Sequence, residues 1–287
     1  MVIPAVQFVS RVRSMARKLA IVAGGGRLPW LLRESCQLTG REYIFLAVEG
    51  EVRSNCPFVP DKWIRLGQWG ANLEFLRSKQ IKEIVFAGTI KKPNLKELQL
   101  DSRGAAFMTR LGISWLGADS ILSTVLKELE SEGFDVISPD SLLTDILSKE
   151  GAYGKVLPSQ EDMRDIQRGI NVIKKIGELD IGQAVVIQDG IVIGVEAIEG
   201  TDEMLRRCKT LLDAKKSGVL VKFSKPGQER RIDLPTIGIK TIEIASESGI
   251  KGIAIEAGGA LVINSKDVSR IADELGLFVF GVKRKLV

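Results

Sequence analysis

Lys18-Leu19-Ala20-Ile21-Val22-Ala23-Gly24-Gly25-Gly26-Arg27-Leu28-Pro29 is the stretch on which the fold class turns. Its first half is a short unbroken apolar run, the pattern of a parallel strand buried on both faces. Three glycines then allow a tight turn. Pro29 suits the first turn of a helix, where its missing N–H leaves no bond unmade, and that helix is expected to reach about Gln37. Outward from this unit the alternation continues. A strand is expected at Tyr43 to Val48 after Gly40, a helix at Ala71 to Ser78 with Leu73 and Leu76 inward, and a strand at Glu83 to Ala87. A long helix at Ser120 to Glu132, ended by Gly133, then precedes a strand at Asp135 to Ile137. Strands alternating with helices predict an α/β domain with a mainly parallel sheet.

Gly151, Gly154 and Pro158 interrupt the pattern over Lys149 to Pro158, which places a boundary there. The second half opens with a helix at Ser159 to Gly177 and a strand at Gln183 to Ile187. Asp189-Gly190 is a two-residue hairpin signal, because both residues tolerate positive φ, and Ile191 to Ile198 returns as the partner strand. Thr201 is expected to cap a helix with Asp202 and Glu203 in its first turn, ending near Gly218. Further strands at Val219 to Phe223, Gly252 to Ile255, Ala260 to Ile263 and Leu277 to Phe280 alternate with helices at Ile239 to Ser248 and Lys266 to Leu275. The expected architecture is therefore two-domain α/β. Residues 1–16 form an extension, residues 17–149 the first domain, and residues 150–287 a second α/β domain with a mixed sheet.

Composition narrows the chemistry. The chain of 287 residues has 45% hydrophobic and 27% charged residues, enough apolar content for two cores at roughly 150 residues per domain. It contains no histidine, which excludes His-dependent triads, His-ligated zinc and His general bases. Three cysteines (Cys36, Cys56 and Cys208) lack CxxC spacing and suit a reducing, cytoplasmic setting better than a disulfide scaffold. Lys and Arg number 41 against 36 Asp and Glu, a balance that does not point to nucleic acid. No apolar run reaches the length of about 18 residues that spans a bilayer. Met1 to Ser14 reads either as a frayed extension ahead of Met15 or as a weak membrane-surface contact. Trp63, Trp69 and Trp115 read as core or interface anchors.

Two regions carry candidate chemistry. Gly24-Gly25-Gly26 resembles half of a dinucleotide fingerprint, but Pro29 stands where the third fingerprint glycine belongs. The loop reads as a nucleotide or phosphate site or as a plain tight turn, with a redox cofactor the least fitting reading. Glu49 follows the second strand, where a ribose-binding acid would lie. Gly88-Thr89, followed by Lys91 and Lys92, ends another parallel strand, so both loops are expected to face one crevice. In the second half, Glu196, Glu199, Thr201 and Asp202 gather at a strand-to-helix junction, as a helix cap or as part of a site. Lys222 and Lys225 precede Pro226-Gly227-Gln228-Glu229-Arg230-Arg231, and Asp233-Leu234-Pro235-Thr236 follows. A basic turn beside an isolated aspartate suits a magnesium-assisted phosphate site, although such charge runs also occur as solvated loops.

From Lys18 to Val282 the chain resembles the LpxI-type UDP-2,3-diacylglucosamine pyrophosphatases of the lipid A pathway. The resemblance rests on Leu19–Pro29, Phe86-Ala87-Gly88, Leu179-Asp180-Ile181-Gly182-Gln183, Val195–Arg207, Lys225–Gln228, Arg231–Gly238 and Gly276–Gly281. It implies a Rossmann-like first domain, ligand held between two domains, and a homodimer at the inner-membrane surface. It also implies hydrolysis of UDP-2,3-diacylglucosamine to UMP and 2,3-diacylglucosamine 1-phosphate, supported by Mg²⁺ or another divalent cation. The resemblance maps the family's essential aspartate onto Asp233, which is expected to ligate the cation as the catalytic residue or to orient the attacking water. The residue chemistry adds Glu199 and Asp202 as expected metal ligands. Gly24, Gly25, Gly26, Gly88, Thr89, Asp119, Thr201, Lys225 and Gln228 are the expected substrate contacts. Where the family shows Gly-Asp-Asp, this chain reads Gly117-Ala118-Asp119, so Asp119 is either a helix cap or a ligand contact. A non-catalytic nucleotide-sugar or lipid-binding protein is the alternative reading.

Overall fold

Leu19–Ala23 (β1) is buried at every position, as its unbroken apolar run requires. It lies in register between two parallel neighbours, Tyr43–Val48 (β2) and Glu83–Ala87 (β4). The computed structural model describes residues 17–52, 56, 58–91, 98–111, 118–143, 145–213 and 217–284, without the side chains of 111 and 118–120. The chain divides between Leu143 and Thr144 into two units. The division precedes the glycine-rich stretch read above as a boundary. That stretch belongs to the second unit, because Gly151–Ala152 already pairs as an edge strand there.

In the first unit, α1 (Leu28–Thr39) follows β1 and buries Leu28, Pro29, Leu32 and Cys36 on one face. Gly40, at φ 67°, ends it in the left-handed conformation that favours glycine. The sheet order is β3-β2-β1-β4-β5, all parallel, with β3 at Lys62–Ile64 and β5 at Asp135–Ile137. Winding reverses between β1 and β4, the place where α/β sheets open a ligand crevice. Helices α2 (Trp69–Ser78), α3 (Ser102–Leu111) and α4 (Ala118–Ser131), with a 3₁₀ turn at Pro139–Ser141, complete the described elements. Trp69 stacks on Phe107 at 4.8 Å, an anchor for α2 on α3. Trp63 is 38% exposed, and Trp115 lies outside the described residues.

The second unit begins with β6 (Gly151–Ala152) and the long helix α5 (Gln160–Glu178). The hairpin pairs β7 (Ala184–Gln188) with β8 (Ile191–Val195), and its tip has φ 51° at Asp189 and 78° at Gly190, as the turn signal demands. Then come α6 (Gly200–Cys208), β9 (Gly218–Lys222), β10 (Thr236–Ile237), α7 (Ile239–Glu247), β11 (Ile250–Glu256), β12 (Leu261–Val262), α8 (Ser265–Glu274) and β13 (Phe278–Val282). Six strands form a mixed sheet in the order β6-β13-β11-β9-β7-β8. Alternate residues of β9 face opposite cores. Val219 and Val221 meet Ile166 and Ile173 of α5, and Leu220 joins the core containing Met204, Ile242 and Val268 from α6, α7 and α8.

Three expectations are corrected. Helix α6 ends at Cys208, well short of Gly218. The run Ala260 to Ile263 does not join the main sheet; β12 forms a separate two-stranded ladder with β10, and on its other side Leu261 bridges Leu147. Thr201 does not cap α6, because the helix starts one residue earlier and Glu199 occupies the N-cap position. Among the described residues no helix is long and apolar enough to cross a membrane.

Candidate functional site

The glycine loops of the first unit do meet, and they bond to each other. Gly24 N–H donates to Ala87 O at 2.8 Å, Gly25 N–H to Thr89 O at 2.8 Å, and Thr89 N–H back to Gly25 O at 2.9 Å. A Cβ at Gly24 would strike the Thr89 backbone, and one at Gly88 (φ 86°) would strike Gly25 O. Glycine is thus required at these positions for loop-to-loop contact, and two of the N–H groups expected to face a phosphate are already used. Gly26, at φ 96°, stands in open space. Among the described residues, no hydrogen bond uses the N–H of Gly26, Arg27 or Leu28, and the start of α1 has no side-chain cap. That helix start is the part of the loop still open to an anion. Glu49 pairs with Arg65 at 2.6 Å. Asp119 falls in the first turn of α4, with its side chain outside the described residues, as are Lys92, Gly117 and Met1 to Ser14.

The second unit concentrates buried polar groups where the C-terminal end of β9, the N-terminal end of β7 and the C-terminal end of β8 converge. Beyond β9, Lys225-Pro226-Gly227-Gln228 makes a tight turn with Gln228 N–H donating to Lys225 O at 3.2 Å. Pro at the second place and Gly227 at φ 75° in the third are what a type II turn requires. The Gln228 side chain folds back across this turn, so its Oε1 accepts from Lys225 N–H at 2.8 Å. A backbone N–H needs an oxygen acceptor, which fixes the amide orientation and turns Nε2 outward. Nε2 donates to Asp233 Oδ2 at 2.6 Å and to Gln183 Oε1 at 2.9 Å.

From Gln183 the bonding continues inward. Its N–H donates to Glu196 Oε2 at 3.0 Å, and Glu196 Oε1 accepts from the Thr201 hydroxyl at 2.5 Å. Thr201 in turn accepts from Lys222 Nζ at 2.9 Å, and Lys222 also donates to Thr236 O at 3.2 Å. Glu196, Thr201, Lys222, Lys225 and Gln228 are all buried. Lys225 Nζ reaches Asp180 Oδ1 at 2.5 Å. In this way the strand ends and the Asp-Leu-Pro-Thr loop are joined by one continuous polar network.

The expected three-carboxylate cation site does not assemble. Glu199 accepts from Arg207 at 2.8 Å, and Asp202 pairs with Lys240 at 2.6 Å. Burial pushes the Glu199 carboxyl up, but the Arg207 hydrogen bonds outweigh it and hold the group below the ordinary glutamate range. Among the described residues no group of three or more metal-ligating side chains converges. Asp233 differs from the other two. It is half-buried, and among the described residues no donor reaches its Oδ1. A lone carboxylate of this kind fits Mg²⁺, which commonly takes one or two carboxylates and completes its shell with phosphate oxygens and water. The Cys36 and Cys208 thiols are pushed up by burial, which makes them poor nucleophiles.

Two residues of the network, Gln183 and Asp180, escaped the sequence reading as site members. Both sit in Leu179-Asp180-Ile181-Gly182-Gln183, a segment with no charge cluster or turn signature to mark it. Lys222, grouped in sequence with the basic turn, is instead buried at the end of β9 and spent on Thr201 and Thr236.

Comparison with known proteins covers both units. Residues 18–146 match the family model of the LpxI N-terminal domain, and residues 149–280 match the LpxI C-terminal domain. The chain is 39% identical over 273 residues to the UDP-2,3-diacylglucosamine pyrophosphatase LpxI of Caulobacter vibrioides, covering 93% of this chain and 98% of that one. Among solved structures, the UDP-glucose 4-epimerase of Thermus thermophilus in complex with NAD aligns over 94% of this chain and 87% of its own at 12% identity. Its TM-score of 0.31 is too low to carry an argument.

Proposed function

The chain belongs to the LpxI family, and from that premise we propose that it hydrolyses the pyrophosphate bond of UDP-2,3-diacylglucosamine, giving UMP and 2,3-diacylglucosamine 1-phosphate. A water oxygen forms a new bond to one phosphorus, the bridging P–O bond breaks, and its electron pair leaves on the other phosphate. The water must lose a proton, and the charge on the phosphates must be offset. Neither task requires histidine. Asp233 carries the proposal: one of its oxygens is pinned by Gln228, and the other is open to a water or a cation. Asp233 and substrate phosphate oxygens are the proposed holders of Mg²⁺, which would neutralise phosphate charge when bound. Glu199 and Asp202, each already paired, anchor the start of α6. Lys225 and the backbone of its turn are the proposed seat of the pyrophosphate, with the Gln228 side chain committed instead to Asp233 and Gln183. The open helix start after Gly26 is the part of the first unit suited to a phosphate or nucleotide.

The test is UMP release from UDP-2,3-diacylglucosamine with and without Mg²⁺. Asp233→Ala should lower turnover by at least about 100-fold while substrate still binds. Asp233→Ala protein with wild-type turnover would remove this residue from the chemistry, and substrate bound without any release would leave a binding protein. Contact with the inner-membrane surface and a homodimeric state are proposed from the family resemblance. Exposed Leu179 and Ile198 beside the network support the membrane contact. Co-sedimentation with anionic vesicles and light scattering test the two; protein left in the supernatant, or a single-chain mass, would remove the respective proposal.

A further inference from the structure

We infer that Gln228 is the positioning residue of Asp233, and that Gln183 is the clamp that fixes Gln228. The inference rests on the role proposed for Asp233 and adds how that carboxylate is aimed. Gln228 is buried, with its acceptor committed to Lys225 N–H and both bonds of its donor nitrogen committed, one to Asp233 Oδ2 and one to Gln183 Oε1. Its side chain has no second way to satisfy these partners, so it cannot turn without leaving a buried backbone N–H unmet. The Asp233 carboxylate therefore has one oxygen held at a fixed place before substrate arrives. Gln183 is in turn held by its backbone, since its N–H bonds Glu196 and its C=O accepts from Phe223 N–H at 3.1 Å. The aim of Asp233 is thus referred back to the strand ends of the sheet rather than to its own loop.

A residue that orients a catalytic group acts on turnover more than on substrate affinity. Gln228→Met keeps length and apolar volume but has neither donor nor acceptor. It should lower kcat by roughly 10- to 100-fold, the range found when an outer-shell partner of a ligating group is lost, with KM changed less than about twofold. Gln228→Glu, which keeps the acceptor and lacks the donor, should fall in the same way. Gln183→Met leaves Gln228 in place but free on one side, and should give a smaller loss of the same kind. Gln183→Met combined with Gln228→Met should be no worse than Gln228→Met alone. Substrate affinity measured in an Asp233→Ala background should be unchanged by adding Gln228→Met. Wild-type kcat in Gln228→Met, a loss carried by KM, or weaker binding in the Asp233→Ala background would each overturn the inference. If Gln228→Met does not fold, Gln183→Met decides the question by the same kcat-against-KM comparison. An inactive Asp233→Ala beside fully active glutamine variants would sink the positioning role alone, whereas an active Asp233→Ala would sink the reading beneath it.

Discussion

Asp162 is held by three partners at the start of α5. Its Oδ2 accepts from the Ser159 N–H and hydroxyl, each at 2.8 Å, and its Oδ1 lies 2.7 Å from Lys251 Nζ. Burial works to raise this carboxyl, but Lys251 and Ser159 outweigh it and leave it below the ordinary aspartate range. Unfolded aspartate titrates near ~3.9. A depressed native value means the native state keeps the charged form better than the unfolded chain. This contribution is complete above about pH 4 and is lost as pH falls through the lowered native value. Asp162→Asn should therefore flatten the acid limb of stability against pH, measured as urea midpoints from about pH 2 to 7. An unchanged limb would contradict the assignment. The helix start at Ser159 was placed in sequence without its Ser-Gln-Glu-Asp capping box being named, whereas Thr201 was misleading. Its spacing before Asp202 and Glu203 imitates a cap, but its hydroxyl is drawn to the buried Lys222 and Glu196, which are brought to it by the strands. Local pattern reading sees neighbours within a turn or two; it does not see partners brought in by strand pairing.

Among the elements, the β7–β8 hairpin joins what was readable to what was not. The Asp189-Gly190 tip was evident, since few residue pairs accept two positive φ values. Its anchor was not. Asp165, buried on α5, accepts from Asp189 N–H at 3.0 Å and Gly190 N–H at 2.7 Å, tying the hairpin tip to the helix packed on the sheet. Asp165→Ala should cost about 1–2 kcal/mol, because the freed N–H groups lie near the surface and water takes over part of the bonding. A thermal or urea transition indistinguishable from wild type would show that the tip needs no tether. Strands of five or more residues were found by their apolar runs, with ends displaced by up to three residues, the largest at β8, which stops at Val195 rather than Ile198. Lys62–Ile64, Gly151–Ala152 and Thr236–Ile237 are too short to show a period and form only because a neighbouring segment offers an edge. Helix α3 also went unread.

For the whole molecule, the order of strands and helices in each unit followed from periodicity and glycine spacing, and the absence of histidine directed attention to carboxylates. What the sequence obscured was how those carboxylates are divided. Glu199, Asp202 and Asp233 look equivalent in a linear reading, and of the three only Asp233 remains without a basic partner among the described residues. Proximity along the chain overstated the cluster, because Arg207 and Lys240 approach from α6 and α7 and neutralise two of the three. The remaining acid takes its setting from amides, which carry no charge to betray them in composition.

The backbone stitch between Gly24-Gly25 and Gly88-Thr89 also bears on how this protein can change over generations. Each loop is the other's steric wall, so a side chain or an inserted residue in one removes room and hydrogen bonds from the other at the same step. The two segments, distant along the chain, are therefore inherited as a pair. Variation in this crevice is expected away from the stitched glycines and in the residues after Gly26, since at Gly26 itself an added Cβ meets nothing but φ 96° strains any residue other than glycine.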